Sequence, residues 1–387
     1  MPFRQLRKFI APAAALLLLG GCSLLHRSDE PVKPAFQWTE RGGISVVWEA
    51  DVDQRHPAAP AGFSIPLVTH DGLIVIGGQD KRVRIYSATG SELRRIALKN
   101  AVDGGAAELP NGNVVLVDVE GNLYGLDIRK GTIVWQQQLS SVALGRPVVD
   151  GNQFFVQTAD NSIYAFADDG GRQWLYTGVR SGLAMRAGSS PIVAGDRIYA
   201  VLNNGDALAL KRDTGDLLWR QQLILENDAP VLSELRVPVA DPVLIPAKLA
   251  GRTDDLLAVG IYQGELVFLS SLDGSRIRDR NLSLRNTPVL HDNLLYAADS
   301  HGAVLALDPA SSQSMWKQQL SDGELAGPLV LADAIWVADA DGHVTRLGLD
   351  GSIQANIALP GSISRSPVAT AAGVLVRNDR GTLFLLR

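Results

Sequence analysis

The stretch Val114-Val115-Leu116-Val117-Asp118-Val119-Glu120-Gly121-Asn122-Leu123-Tyr124-Gly125-Leu126-Asp127, followed by Gly131 and Trp135, decides the fold of this chain. It reads as strand, tight turn, strand, turn, strand. Glu120-Gly121 and Lys130-Gly131 are the turns, because glycine reaches positive φ without the steric cost that a side chain brings. Between them Leu123 and Gly125 alternate with Tyr124 and Leu126. A strand apolar on both faces is buried on both faces, which requires sheets stacked on either side of it.

The position of Gly121 recurs at Lys81, Asn161, Gly205, Gly264, Gly302, Gly342 and Gly381, at intervals of 40, 40, 44, 59, 38, 40 and 39 residues. Asparagine tolerates the left-handed conformation; Lys81 is the odd member. Two residues after the anchor stand Val83, Leu123, Ile163, Ala207, Leu266, Val304, Val344 and Leu383. Five after it stand Tyr86, Leu126, Phe166, Leu210, Leu269, Leu307, Leu347 and Leu386. Neither column holds a charge. A further apolar strand precedes each anchor, as in Leu73-Ile74-Val75-Ile76 and Ile335-Trp336-Val337. Before it lies a Pro-apolar pair in seven units (Pro66, Pro147, Pro191, Pro242, Pro288, Pro328, Pro367), where a strand begins and needs no ladder donor. About 40 residues with four short strands is the period of a propeller blade. Eight anchors predict an all-β, eight-bladed β-propeller of four-stranded antiparallel blades.

Ring closure is also written in the repeat. The outer strand carries Trp135, Trp174, Trp219 or Trp316 at 13 or 14 residues past the anchor, and Arg94, Arg278 or Ala355 in three other blades. The last anchor, Gly381, lies six residues from Arg387, so its blade lacks an outer strand. The stretch Ile44-Ser45-Val46-Val47-Trp48-Glu49-Ala50 supplies it, with Trp48 in the vacant position; no edge is then left open. The 59-residue interval holds the main insertion: a polar stretch from Pro246 to Asp255, and before it a long connection from Leu223 to Val239. Long loops on a rigid scaffold are where binding concentrates.

Composition narrows the function. The 387 residues are 46% hydrophobic and 20% charged, with a net charge of −5 and a single Cys. That is not a disordered profile. A negative balance argues against nucleic acid read through a basic surface. One Cys excludes an intrachain disulfide and a Cys-rich zinc site. Its place matters more. Arg4, Arg7 and Lys8 precede an apolar run from Phe9 to Leu19, too short to span a bilayer and of the length of a signal-peptide core. The run ends in Leu19-Gly20-Gly21-Cys22, which resembles the lipobox of bacterial lipoproteins. The resemblance implies a lipidated Cys22 as first mature residue, and Ser23 beside it implies sorting to the outer membrane. The mature charge is then −8. The division expected is residues 1–21 as lipoprotein signal peptide, 22–43 as lipidated Cys and polar tether, and 44–387 as propeller.

The remaining motifs bear on catalytic chemistry. Asp213-Thr214-Gly215-Asp216-Leu217-Leu218-Trp219 resembles the tryptophan-docking repeat of pyrroloquinoline quinone dehydrogenases, so a periplasmic quinoprotein-like dehydrogenase or another ligand-binding propeller is the competing reading. That family's pair of adjacent cysteines is absent here. The six His residues show no metal-ligand spacing; His70, His291, His301 and His343 lie beside turns and read as solvated turn positions, and Asp339-Ala340-Asp341-Gly342 reads as a turn. No glycine-rich loop opens a helix, so a phosphate-cradling turn has no support. Neither metal nor cofactor is expected.

Lipobox, short tether and eight blades with this repeat together resemble the BamB family, lipoproteins of the outer-membrane β-barrel assembly (BAM) machinery. The resemblance implies a non-catalytic accessory, lipid-anchored in the outer membrane and facing the periplasm. It implies binding to the POTRA domains of the barrel-forming subunit BamA, and help in delivering unfolded outer-membrane proteins. The family's partner surface includes a Leu-x-Leu-Arg stretch in the loop entering the fourth blade. Leu183-Ala184-Met185-Arg186 stands there, which assigns partner contact to Leu183, Met185 and Arg186. Methionine is an adaptable apolar contact and arginine an interface anchor; the bland alternative for Leu183 and Met185 is core packing. The family also uses acidic residues in the next long loop. Of the aligned Arg236-Val237-Pro238-Val239-Ala240-Asp241 only Asp241 is acidic, with Glu226, Asp228 and Glu234 nearby.

Overall fold

Each unit of the repeat folds into the sheet its pattern predicts. The computed structural model describes residues 36–53, 64–143, 145–179, 188–224 and 237–387. Among them stand eight four-stranded antiparallel sheets, each meandering from an inner strand to an outer one. The outer strands of blades one to seven are Glu92–Ala97, Thr132–Gln138, Arg172–Thr177, Leu217–Gln222, Arg276–Arg280, Ser314–Gln319 and Ile353–Ala358. Blade eight takes its three inner strands from Val368–Thr370, Gly373–Arg377 and Thr382–Leu386, and its outer strand from Val46–Asp51 at the other end of the chain. Trp48 stands opposite Leu385, as expected. The insertion in blade five forms a single helical turn, Ala247–Ala250.

The anchor is a type I turn followed by a left-handed residue. In blade two the Gly121 N–H donates to Asp118 O (3.1 Å) and the Asp118 N–H to Asn122 O (2.9 Å), and Gly121 has φ 80°. Lys81, unfavoured on residue type, adopts the same conformation with φ 64°. The odd member is instead Gly264: in blade five Gln263 takes the positive φ, 52°, one residue earlier. In blade seven the proline also departs from the expected place, since Pro328 lies inside the inner strand Leu325–Val330, at an irregularity between Ala326 and Leu329.

Burial on both faces produces a core made of seams. Val114, Leu116, Tyr124 and Leu126 of blade two pack with Val75, Val83 and Ile85 of blade one. Their alternate neighbours Val115, Val117 and Leu123 pack with Phe154, Val156 and Phe166 of blade three. The pattern continues around the ring to a seam of Val52, Ile74, Ile76, Leu375, Leu383 and Leu385, which joins blade eight to blade one. At about 1.5–3 kcal/mol for each large apolar side chain removed from water, these seams carry most of the stabilisation.

Tryptophans lock the rim. Trp48, Trp135, Trp174, Trp219 and Trp316 each cover a glycine in the outer turn of the next blade: Gly90, Gly170, Gly215, Gly274 and Gly351. A Cβ on any of these glycines would lie 2.5–2.7 Å from an indole atom, so glycine is required there. Four of the indoles donate Nε1–H to that same turn: Trp48 to Ala88 O, Trp174 to Arg212 O, Trp219 to Ser271 O and Trp316 to Leu349 O, at 2.9–3.1 Å. Where arginine replaces tryptophan, the guanidinium donates to the corresponding turn, Arg94 to Arg129 O (2.6 Å) and Arg278 to Ser312 Oγ (2.6 Å). Ala355 has its own cause. The next outer turn is where the chain is open, and Gly43 packs there, its Cβ position 3.0 Å from the Ala355 methyl.

Candidate functional site

Four internal gaps in the described residues, 54–63, 144, 180–187 and 225–236, all fall in connections from one blade's outer strand to the next blade's inner strand. Leu183, Met185 and Arg186 lie in 180–187, and Glu226, Asp228 and Glu234 in 225–236; Cys22 lies outside the described residues too. What the structure does describe is the ground on which those two loops stand. Val179, the last residue before the first loop, is 62% exposed. Beyond the loop, the Ser190 N–H donates to Asp241 Oδ1 (2.5 Å) and Ser190 Oγ accepts the Arg146 N–H (3.0 Å). The Asp241 N–H donates to Thr287 Oγ1 (2.9 Å). Asp241 therefore ties together the connections leading into blades four, five and six. Burial pushes its carboxyl above the usual carboxylate range, against the Ser190 N–H and the charge of Arg146. The one acidic residue of the aligned stretch serves the foot of the loops.

The same connections carry a chain of ion pairs and hydrogen bonds. Asp53, at the end of the closing strand, accepts from Arg377 Nη2 of blade eight (2.9 Å) and from the Gln79 N–H of blade one (2.6 Å). Both charged side chains are buried, at 6% and 2% exposure. Burial raises the Asp53 carboxyl despite Arg377, and lowers the Arg377 guanidinium despite Asp53. Gln79 reaches Asp103 in turn. Across the ring Glu324 accepts from Tyr262 Oη (2.5 Å) and Arg285, and its hydrogen bond raises the Tyr262 phenol. A cavity of about 440 Å³ lies beside the feet of the loops, lined by Leu67, Ala106, Arg146, Val148, Ser190 and Asp241. These charged groups are spent largely on one another.

One carboxylate–imidazole group among the described residues is close enough to hold a metal: Asp339, Asp341 and His343. Asp339 Oδ1 accepts the backbone N–H groups of Asp341 and His343, and Oδ2 faces His343 Nδ1 at 3.0 Å. The geometry is that of a clamped turn, as expected, but His343 is not simply solvated. Trp38 stacks on its ring at 4.2 Å. Residues 36–43, inside the stretch read as tether, are held against blades six and seven. The Phe36 N–H donates to Asp322 Oδ2 (2.6 Å), the Arg41 N–H to Asn356 Oδ1 (2.6 Å), Asn356 Nδ2 to Thr39 O (2.9 Å), and Gly42 bridges Asn356. No strand period marks this strap in the sequence; the single signal available was Trp38.

The family model described as outer membrane protein assembly factor BamB matches residues 79–318 and 288–385. A protein of that description from Bordetella pertussis is 29% identical, over 96% of this chain and 95% of its own length. The Escherichia coli one is 24% identical, over 98% and 99%. Among solved structures, BamB from Moraxella catarrhalis superposes with a TM-score of 0.75 at 18% identity, covering 89% of this chain and 99% of that one. A quinohemoprotein alcohol dehydrogenase from Comamonas testosteroni superposes with a TM-score of 0.73 at 14% identity, covering 89% and 76%. Likeness at that identity shows a shared ring.

Proposed function

The chain belongs to the family of outer membrane protein assembly factor BamB, and from that premise we propose that it is a non-catalytic scaffold of the BAM machinery. In this reading it is anchored in the outer membrane through lipidated Cys22 and faces the periplasm. It binds the POTRA domains of BamA and assists folding and insertion of β-barrel proteins. The observation that carries the proposal is the family match along nearly the whole ring, joined to a connection face on which Asp241 links the entries to blades four, five and six. Leu183 and Met185 are the apolar contacts of the interface, and Arg186 supplies charged hydrogen bonds to the partner. Asp241 ties together the described residues that flank these connections, through the Ser190 N–H and Thr287 Oγ1.

The test is co-purification of BamA with the full-length lipoprotein from detergent extracts. Arg186→Ala and Met185→Glu are each expected to remove BamA while leaving thermal unfolding unchanged. Absence of BamA from the wild-type extract, together with quinone-dependent dye reduction by the purified chain, would sink the scaffold reading in favour of a dehydrogenase.

A further inference from the structure

The eight outer strands are not equivalent as edges. An exposed edge strand is a template for another strand, and charge on it is the usual protection. Six of the eight carry charge: Glu49 and Asp51 in blade eight, Glu92, Arg94 and Arg95 in blade one, Arg172 in blade three, Arg220 in blade four, three arginines and Asp279 in blade five, and Lys317 in blade six. Two have none: Thr132–Gln138 of blade two and Ile353–Ala358 of blade seven.

The edge of blade seven is covered by the chain itself. Its Asn356 N–H, which points away from the sheet, donates to Gly42 O (3.2 Å), and the Asn356 amide grips the strap backbone in both directions. The edge of blade two has the same register. Asn356 stands opposite Thr345 there, and Gln136 opposite Tyr124 here. The Leu139 N–H bonds inward to Gly121 O as the Leu359 N–H bonds inward to Gly342 O, so alternation turns the N–H groups of Gln136 and Gln138 outward. At the Asn356 position the remaining blades carry Glu49, Arg95, Leu175, Arg220, Asp279 and Lys317. Blade two alone repeats the amide. Gln136, Gln137 and Gln138 are exposed, and Gln136 holds one bond to Asn122 Oδ1 (2.8 Å). Ile133 and Val134, at 42% and 54% exposure, offer apolar surface at the start of the strand. Among the described residues no strand lies beyond this edge.

We infer that Thr132–Gln138 is a second strap site, one that takes an extended, uncharged peptide strand of alternating apolar and polar residues from another protein by β-strand addition. Backbone hydrogen bonds to Gln136 and Gln138 supply the attachment, and the apolar residues of the guest lie against Ile133 and Val134. The choice of guest rests on the assembly-factor reading, because strands of outer-membrane barrels alternate in this way.

The probe is a fluorescein-labelled, end-capped peptide of alternating valine and threonine, about ten residues long, the length of one membrane-barrel strand. Its anisotropy is followed against the detergent-solubilised full chain. Wild type is expected to bind. Gln136→Lys and Gln138→Pro are each expected to weaken binding about ten-fold or more, since edge charge and edge proline both block strand addition. The control Leu175→Lys, on the blade-three edge, leaves binding unchanged, and all three variants keep the wild-type unfolding midpoint. No binding to wild type, equal loss with Leu175→Lys, or full binding by Gln136→Lys overturns the inference, as does a Gln136-dependent dimer of the chain that excludes the peptide. BamA co-purification run on the same proteins separates the two readings. Peptide binding without BamA retention sinks the assembly reading and leaves the edge site; BamA retention without peptide binding does the reverse.

Discussion

Asp53→Ala tests how the ring is held shut. Asp53 arrives from the N-terminal strand, Arg377 from the last blade and Gln79 from the first, so one carboxylate joins all three parts of the closure. With the side chains of the pair at 6% and 2% exposure, the substitution leaves a buried guanidinium short of its partner. Removing one member of such a pair costs about 3–5 kcal/mol. Asp379 and Asp103 lie near enough to Arg377 to retain part of its compensation, which places the expected loss at the lower end, about 3 kcal/mol. Urea unfolding followed by tryptophan fluorescence is the assay, because urea leaves charge interactions unscreened where guanidinium would not.

The partner substitution Arg377→Met behaves differently, and pH reveals it. Burial already raises the Asp53 carboxyl above the usual carboxylate range, against the pull of Arg377. Without Arg377 that carboxyl rises further. A carboxyl whose folded pKa exceeds its unfolded one costs nothing below the unfolded value, and destabilises progressively as pH rises through the folded value. Arg377→Met is therefore expected to lose less stability at pH 5 than at pH 8. The double substitution Asp53→Leu with Arg377→Met should recover most of the loss, since an apolar pair of similar volume carries no desolvation cost. A loss under about 1 kcal/mol for Asp53→Ala, or no pH dependence in Arg377→Met, would refute the reasoning.

The rim makes three further predictions. Trp48→Ala should cost about 2–3 kcal/mol, the low side of a buried tryptophan truncation because the indole is only partly covered, and Gly90→Ala should lower the urea midpoint too, its φ of 82° and its Cβ position 2.6 Å from Trp48 both opposing a side chain. Arg94→Trp should raise stability by about 1 kcal/mol, read as a higher thermal midpoint, because the arginine leaves a groove of about 220 Å³ between blades one and two, lined by Leu73, Ile85, Leu93 and Ile128, where other seams hold an indole.

The blades were legible because their determinants are local. Alternation, a turn and a docking tryptophan recur inside about forty residues, so each unit announces itself, and the truncated last unit announces the strand it lacks. Residue type misled where the turn outweighs propensity. Lys81 accepts a left-handed φ costing about 1–2 kcal/mol because the flanking strands fix the turn around it. Arg84 gave no sign of its burial. It occupies a column held elsewhere by Tyr124, Leu305 and Phe384, and it is tolerated there because Asp80 and Glu92 surround its guanidinium at 2.5 and 3.6 Å. The closure joint was illegible for another reason. Asp53 and Arg377 are 324 residues apart, and no single-sequence period relates them.

The strap gives the reason why the two ends of this chain need no disulfide. Strand pairing of Val46–Asp51 with Thr382–Leu386 joins blade eight, the Asp53 carboxylate joins that blade to the first, and residues 36–43 join the N-terminus to blades six and seven. Force applied at the N-terminus therefore meets the Trp38–His343 stack and the Asn356 clasp before it reaches the closing strand. The same segment shields the uncharged edge of blade seven, Ile-Gln-Ala-Asn-Ile-Ala, which would otherwise be open to other strands. Anchoring, closure and protection of an edge are thus performed by one stretch of chain. Blade two has an edge of the same character and no such cover among the described residues. That difference, set by a handful of side chains in two otherwise equivalent strands, is what singles out Thr132–Gln138 on a ring of eightfold repetition.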